Sequence, residues 1–300
     1  MLPFLEEFCL KEKIEYKKNE SMKEHTTFRI GGPADFFIKV DSLSKLTLLI
    51  KELNKNKTPY FVIGKGANLL VSDKGIEGVV ISLSGLNGIT VEGDTLIAES
   101  GATLSTVCTK AAESSLSGLE FAYGIPASVG GALYMNAGAY GGEMSQAVVL
   151  AEYIDECGEL KTVKNEEMKL GYRTSIFKGK NYIITKVGFK LKAGKTDEIK
   201  ATMEDLYSRR RSKQPLEFGS AGSTFKRPEG YFAGALIEQS GLKGKRIGDA
   251  EVSEKHAGFI INRGNATAKD VKELMQKVTD TVFENYKVKL EPEVIIIGKE

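Results

Sequence analysis

Residues 124–143, GIPASVGGALYMNAGAYGGE, crowd glycines among small side chains between two more regular stretches. Backbone of this composition must come very close to something. Glycine and alanine leave amide N–H groups uncovered, so the run can form a donor array suited to a pyrophosphate or to the polar edge of a flat ring. A tight turn packed on its own chain is the competing reading, because glycine in isolation more often marks a turn or bulge than a ligand.

Two further glycine elements point the same way. The strand-like run 60–63 leads directly into Gly64-Lys65-Gly66-Ala67-Asn68-Leu69, a phosphate-cradling arrangement. The dinucleotide fingerprint needs a glycine where Leu69 stands, and the P-loop needs four residues before a Gly-Lys-Ser/Thr, so neither motif is present. Residues 26–35, TTFRIGGPAD, set a third such element before a strand-like run at 36–40. Together they suggest one extended ligand held by several loops.

Periodicity supplies the organisation. Leu43, Leu46, Leu49, Ile50 and Leu53 recur at helical spacing after Ser42, between the strand-like runs 36–40 and 60–63. After residue 85, strand candidates at 89–91, 95–99, 148–155 and 182–191 surround a helix beginning near Thr103. A charged helix at 196–213 runs into Gln214-Pro215, where the link to a last unit is expected. That unit has its own core, seen in a helix at 268–286 with an apolar stripe and a capping-box start at Thr267 and Asp270. A strand is expected over 288–298, with Pro292 near its start.

Composition is that of an ordinary globular enzyme, at 41% hydrophobic and 27% charged residues. Cys9, Cys108 and Cys157 are odd in number and widely spaced, which argues against a disulfide framework and for a reducing compartment. The start, MLPFLEEFCLKEK, breaks the apolar run a signal peptide needs, and no later run approaches the ~20 residues of a membrane span. The expectation is a cytoplasmic protein without membrane insertion. A net charge of +2 gives no global pull on nucleic acid, but residues 207–246 hold nine Lys or Arg against three Glu. An anion can sit there, although a solvated helix face is the plainer reading of Arg209-Arg210-Arg211. The two histidines, His25 and His256, make no metal set with other residues, and no metal is expected.

The glycine elements, with GYRTSIF at 171–177, SAGSTFK at 220–226 and EPEV at 291–294, resemble the UDP-N-acetylenolpyruvoylglucosamine reductases, flavoenzymes of peptidoglycan synthesis. The resemblance runs in order through nearly the whole chain. It implies an α+β fold: a two-part FAD-binding region of the vanillyl-alcohol-oxidase-like type at 1–85 and 86–206, and a C-terminal α+β substrate-binding domain at 207–300. It implies FAD and NADPH as cofactors, UDP-N-acetylglucosamine enolpyruvate as substrate, and FAD lying between the first two parts. For FAD binding it implicates Gly64, Lys65, Gly66, Ala67, Asn68, Leu69, Gly124, Ser128, Gly130, Gly131, Asn136, Gly138 and Ala139.

The same resemblance assigns the chemistry. Hydride addition to an enolpyruvyl ether puts negative charge on the carbon beside a carboxylate. Arg173 would hold the enediolate-like oxygens through its planar fork, and Glu293, kept neutral by burial, would donate a hydrogen bond to them. Ser223 would deliver the proton to carbon, Lys226 would anchor the diphosphate and His256 would position substrate. Residue by residue, plainer readings stand beside these: Arg173 as a surface residue in a turn, Ser223 as a hydroxyl closing the turn at Ala221-Gly222, Glu293 as simply exposed, His256 as packed or solvated. Ala127, Gly219 and Ile295 depart from the family pattern, and the spacing resembles the shorter type without the extra tyrosine loop.

Two other functions remain open at this stage. An oxidase of the same superfamily would share the glycine loops and turn over with oxygen. A non-catalytic flavin- or nucleotide-sugar-binding protein would hold ligand without redox cycling.

Overall fold

The computed structural model describes residues 3–300 and falls into two compact units, each woven from separated segments. The first takes residues up to Lys17, Phe37–Lys65 and Val79–Arg210; the second takes Lys18–Phe36, Gly66–Gly78 and Arg211–Glu300.

The first unit is built on a five-stranded antiparallel sheet in the order Leu160–Lys164, Val148–Ile154, Ile183–Lys190, Thr95–Glu99, Ile89–Glu92. Ile183–Lys190, at its centre, is buried on both faces over most of its length, with Lys186 half-buried and Lys190 exposed. Helix Leu104–Glu113 covers the sheet with Leu104, Val107, Cys108, Ala111 and Ala112, and its start is fixed by the Thr103 hydroxyl accepting from the Thr106 amide. In the same unit, helix Leu43–Lys55 is capped by Ser42 and buries Leu46, Leu49, Ile50 and Leu53. Strand Tyr60–Ile63 pairs in parallel with Val79–Ser82. These elements lie where capping and periodicity place them.

Two expectations need correction. Residues 124–143 do not form one loop: they contain the short helix Val129–Tyr134, with Ser128 as N-cap. Residues 288–298 do not form one strand: only Ile295–Ile297 is extended in a ladder, while Pro292, lacking an N–H, makes an isolated bridge with Phe225.

In the second unit, helix Ala268–Tyr286 buries Val271, Leu274, Met275, Val278 and Val282 against Leu236, Ile237 and the three-stranded sheet Arg246–Ile247, Ala250–Val252, Ile260–Asn262. Its reciprocal Thr267/Asp270 capping box is present. The Asp73 carboxylate also accepts from the Ala268 and Lys269 amides at 2.7 and 3.0 Å, so orphan donors of the first turn meet a negative charge. Strand Leu69–Val71 pairs in parallel with Ile295–Ile297, joining segments more than 200 residues apart in sequence. Among the described residues no helix is long and apolar enough to cross a membrane.

Candidate active site

The Gly64–Leu69 run straddles the point where the chain leaves the first unit for the second. Among the described residues, the amide N–H groups of Gly64, Lys65, Gly66, Ala67 and Asn68 donate to no protein acceptor. Consecutive unpaired donors are uncommon in folded chains, where nearly every amide finds a partner, and they suit a multivalent anion.

The glycines of this run have reasons inside the protein as well. A Cβ at Gly64 would lie 2.0 Å from Ser128 Oγ, so within the first unit the run abuts the start of helix Val129–Tyr134. Gly66, at φ +60°, would place a Cβ 2.1 Å from the His25 carbonyl oxygen. Its need for glycine is therefore met by packing and backbone conformation, not by a ligand.

The donor array expected in residues 124–143 is largely spent internally. Val129 and Gly130 amides donate to Ala102 and Ser100 carbonyls at 2.9 Å each, and the Gly131 amide donates to Ser128 Oγ at 3.4 Å. Gly130 instead permits close approach, since a Cβ there would stand 2.8 Å from Ser100 Cβ. Gly138 and Ala139 pair with Glu143 and Gly142 in a two-residue ladder. Asn136 is buried in a left-handed conformation (φ +42°); its Oδ1 accepts from the Ser145 amide and its Nδ2 donates to the Gly171 carbonyl at 3.1 Å.

That last bond brings Arg173 to the same segment. Gly171 and Thr174 close a tight turn through reciprocal backbone bonds of 3.2 Å, with Tyr172 and Arg173 at its centre. Arg173 has φ +53°, a place in a turn that glycine or asparagine normally fills, and an arginine held there is strained. Its guanidinium stacks 5.1 Å from the Tyr172 ring centroid.

Within the second unit one buried threonine gathers three of the implicated residues. Thr224 donates its amide to the Gly258 carbonyl, accepts from the Glu293 amide at 2.8 Å, and accepts from the Ile260 amide on its hydroxyl at 2.9 Å. Ser223 precedes it, Glu293 lies across from it, and the turn carrying His256 closes the third side. Glu293 is held from its other end too, by Asn68 Nδ2 donating to its carbonyl at 3.1 Å. Ser223 is exposed, and among the described residues its hydroxyl has no hydrogen-bond partner. Gly222 supplies the turn by its φ of +74°, so the serine does not close it.

His256 accepts the Gly258 amide on Nδ1 at 3.1 Å, which places its proton on Nε2. Burial pushes its pKa below the ordinary histidine value, keeping the ring neutral. Lys226 pairs with the exposed Glu291 at 2.8 Å, which holds that carboxyl below its usual range. Asn262 braces the whole cluster: its Nδ2 donates to the Phe28 carbonyl, its Oδ1 accepts from Gly264 and Ala266 amides, and its backbone bonds Gly219. Thr224 is not legible in the sequence because its bonds reach distant segments, and Asn262 shows locally only a turn through Gly264 and Ala266, not its bond to the Phe28 carbonyl. Arg210 escaped the motif reading as well. It is half-buried, not solvated, and donates to the Gly124 carbonyl at 3.0 Å.

Comparison with known proteins identifies the family. Residues 34–164 match a family model described as an FAD binding domain, and residues 214–297 match one described as the C-terminal domain of UDP-N-acetylenolpyruvoylglucosamine reductase. The chain is 52% identical over 289 residues to the UDP-N-acetylenolpyruvoylglucosamine reductase of Clostridium novyi, covering 96% of this chain and 94% of that one. It is 51% identical over 284 residues to the Clostridium tetani protein of the same name, covering 95% and 92%. A crystal structure of UDP-N-acetylenolpyruvylglucosamine reductase from Thermus caldophilus is similar at a TM-score of 0.81 and 36% identity, covering 94% of this chain and 98% of that one.

Proposed function

The chain belongs to the UDP-N-acetylenolpyruvoylglucosamine reductase family and is a flavin-dependent oxidoreductase of peptidoglycan precursor synthesis, and on that premise we propose how its own residues carry the reaction. The substrate is UDP-N-acetylglucosamine enolpyruvate, the product UDP-N-acetylmuramate and the reductant NADPH.

The residues present fit FAD. Five consecutive unpaired amides at Gly64–Asn68 match the acceptor oxygens of a pyrophosphate, with Ser128 beside the first of them. Residues 124–143, lined by Ser128, Asn136, Gly138 and Ala139, take the flavin ring. Bound FAD would supply the hydride-transfer chemistry between NADPH and the terminal enolpyruvyl carbon.

The protein's part is to manage charge and a proton. Arg173 is always cationic and presents parallel N–H donors to the carboxylate oxygens, where charge builds as the carbon is reduced. Its strained turn fixes the side chain's origin before substrate arrives. Glu293, with its backbone pinned at both ends, donates a hydrogen bond to the same oxygens when protonated. Ser223 hands its hydroxyl proton to the adjacent carbon; with no partner among the described residues, that hydroxyl is available to do so. Lys226 draws the diphosphate, and neutral His256 donates from Nε2 to substrate.

The observation that carries this reading is the Thr224 clamp, which supports a common site for Ser223, Glu293 and His256. Anaerobic titration tests it. The yellow protein is expected to bleach with NADPH and to regain colour with the enolpyruvyl sugar nucleotide. Colourless protein that FAD cannot reconstitute would overturn the reading, and turnover that needs oxygen but not NADPH would point to an oxidase.

A further inference from the structure

We propose that Thr27 is a positioning residue: it ties the turn carrying Ser223 to Gly66, so that the proton donor keeps a set place relative to the loop that holds the cofactor. The inference rests on the reading of Ser223 as that donor.

Residues 26–35, TTFRIGGPAD, carry no step of the reaction, yet the half-buried Thr27 bonds to both of the segments on which the reaction depends. Its amide donates to the Gly66 carbonyl at 3.4 Å, its carbonyl accepts from the Ser220 amide at 3.1 Å, and its hydroxyl donates to the Ser220 carbonyl at 2.7 Å. One residue thereby commits its backbone and its side chain to the cofactor loop on one side and to the first residue of the serine motif on the other.

Thr27 is itself firmly placed. Thr26 closes the turn around it, its hydroxyl donating to the Ile30 carbonyl at 3.1 Å and its carbonyl accepting from the Arg29 amide at 3.2 Å. Phe28 and Ile30 anchor the same turn in the core of the second unit. Gly219 lets the serine segment come close, since a Cβ there would lie 2.7 Å from the Phe28 carbonyl oxygen.

The Ser223 turn is therefore held at both ends. Thr224 fixes the far end through the Gly258 carbonyl and the Glu293 amide, and Thr27 fixes the near end through Ser220. Between the two anchors Ala221 is buried, Gly222 takes its φ of +74° and Ser223 stands exposed. Without the near anchor the serine would pivot about Thr224. Proton delivery to carbon tolerates little of that, because a misplacement of about 1 Å can cost about 10²-fold in rate.

The test uses FAD-loaded protein, with each half-reaction followed by anaerobic stopped-flow absorbance. Thr27→Val and Thr27→Ala remove the hydroxyl and keep the backbone donor and acceptor; Thr27→Ser keeps the hydroxyl as well. Both of the first two are expected to slow reoxidation by the sugar nucleotide by on the order of 10²-fold while flavin reduction by NADPH keeps its rate, and Thr27→Ser should recover most of the loss. In Ser223→Ala protein the same changes should add little, because groups that act as a unit are not additive. Hydrogen exchange of the loaded proteins reads the anchor without turnover: the amides of residues 220–224 should exchange faster in Thr27→Val and Thr27→Ala than in wild type, and at the wild-type rate in Thr27→Ser. Unchanged reoxidation, equal slowing of both halves, a full further loss in the Ser223→Ala background, or unchanged exchange would each overturn the proposal. Ser223→Ala protein that reoxidises at the normal rate would remove the reading beneath it and the proposal together; where that variant is slow, a failure of the Thr27 variants falls on the proposal alone.

Discussion

Replacing Ser223 with alanine separates the chemistry of this protein from its architecture. The hydroxyl is exposed and bonds to nothing among the described residues, and Gly222 sets the turn before it. Removing it therefore breaks no internal hydrogen bond and opens no cavity. Stability should change by no more than ~0.5 kcal/mol, as for surface positions away from special features. If the hydroxyl is the proton donor to carbon, the reoxidation half-reaction loses a general acid and slows by about 10²–10⁴-fold. That is roughly 2.7–5.4 kcal/mol of transition-state free energy, several times the stability effect. Flavin reduction by NADPH involves no proton transfer to the enolpyruvyl carbon and should keep its rate. Anaerobic stopped-flow absorbance reads each half alone, a urea titration reads stability, and Ser223→Cys should retain more activity than alanine. Equal slowing of both halves, or a stability loss well above ~1 kcal/mol, would make the serine structural. A normal reoxidation rate would assign the proton to another group.

Other perturbations follow from the same geometry. Thr224→Val strips the acceptor from the buried Ile260 amide and should cost about 1–3 kcal/mol in a urea titration; an unchanged midpoint would show that the clamp is not a clamp. His256, whose folded-state pKa burial holds below its unfolded value of about 6.5, takes up its proton first in the unfolded chain, so stability should fall as pH drops below that value. His256→Asn, which keeps an acceptor for the Gly258 amide, should flatten the decline between about pH 8 and pH 5, and parallel curves would reject the assignment. Lys226→Ala should raise the Michaelis constant for the sugar nucleotide more than it lowers turnover, with little change in stability because its Glu291 pair is exposed; an unchanged Michaelis constant would remove Lys226 from the site. Gly66→Val should destabilise even FAD-free protein, because a side chain there meets the His25 carbonyl in a left-handed backbone that costs about 1–2 kcal/mol more; wild-type stability without FAD would contradict the packing.

What the sequence made legible was what is local. Ser42, Thr103 and Thr267 cap the helices that periodicity places after them, because a cap and its target amide lie three residues apart. Helix Val129–Tyr134 was hidden: its glycines are poor helix formers, and the Ser128 cap is its one local sign. The run after Val288 looks like one strand by composition, yet only Ile295–Ile297 finds a ladder partner, Leu69–Val71. The site divides in the same way. The family resemblance singles out Ser223, Glu293 and His256, but the threonine that links them is silent in sequence, since its bonds span distant segments. A donor array was expected both at residues 124–143 and at 64–68; the unpaired amides stand at 64–68, while those of the other run are largely spent within the chain, because only the fold decides which amides are consumed.

The bond from Asn68 to Glu293 spans 225 residues, and the strand after Asn68 has its partner in Ile295–Ile297. On a ribosome, the amides of Gly64–Asn68 emerge 225 residues before the segment that secures their downstream end. Whatever binds that loop meets its finished form only after Glu293 and Ile295–Ile297 have been made. A chain cut short before them would carry every glycine of the loop and still lack the strand that holds it.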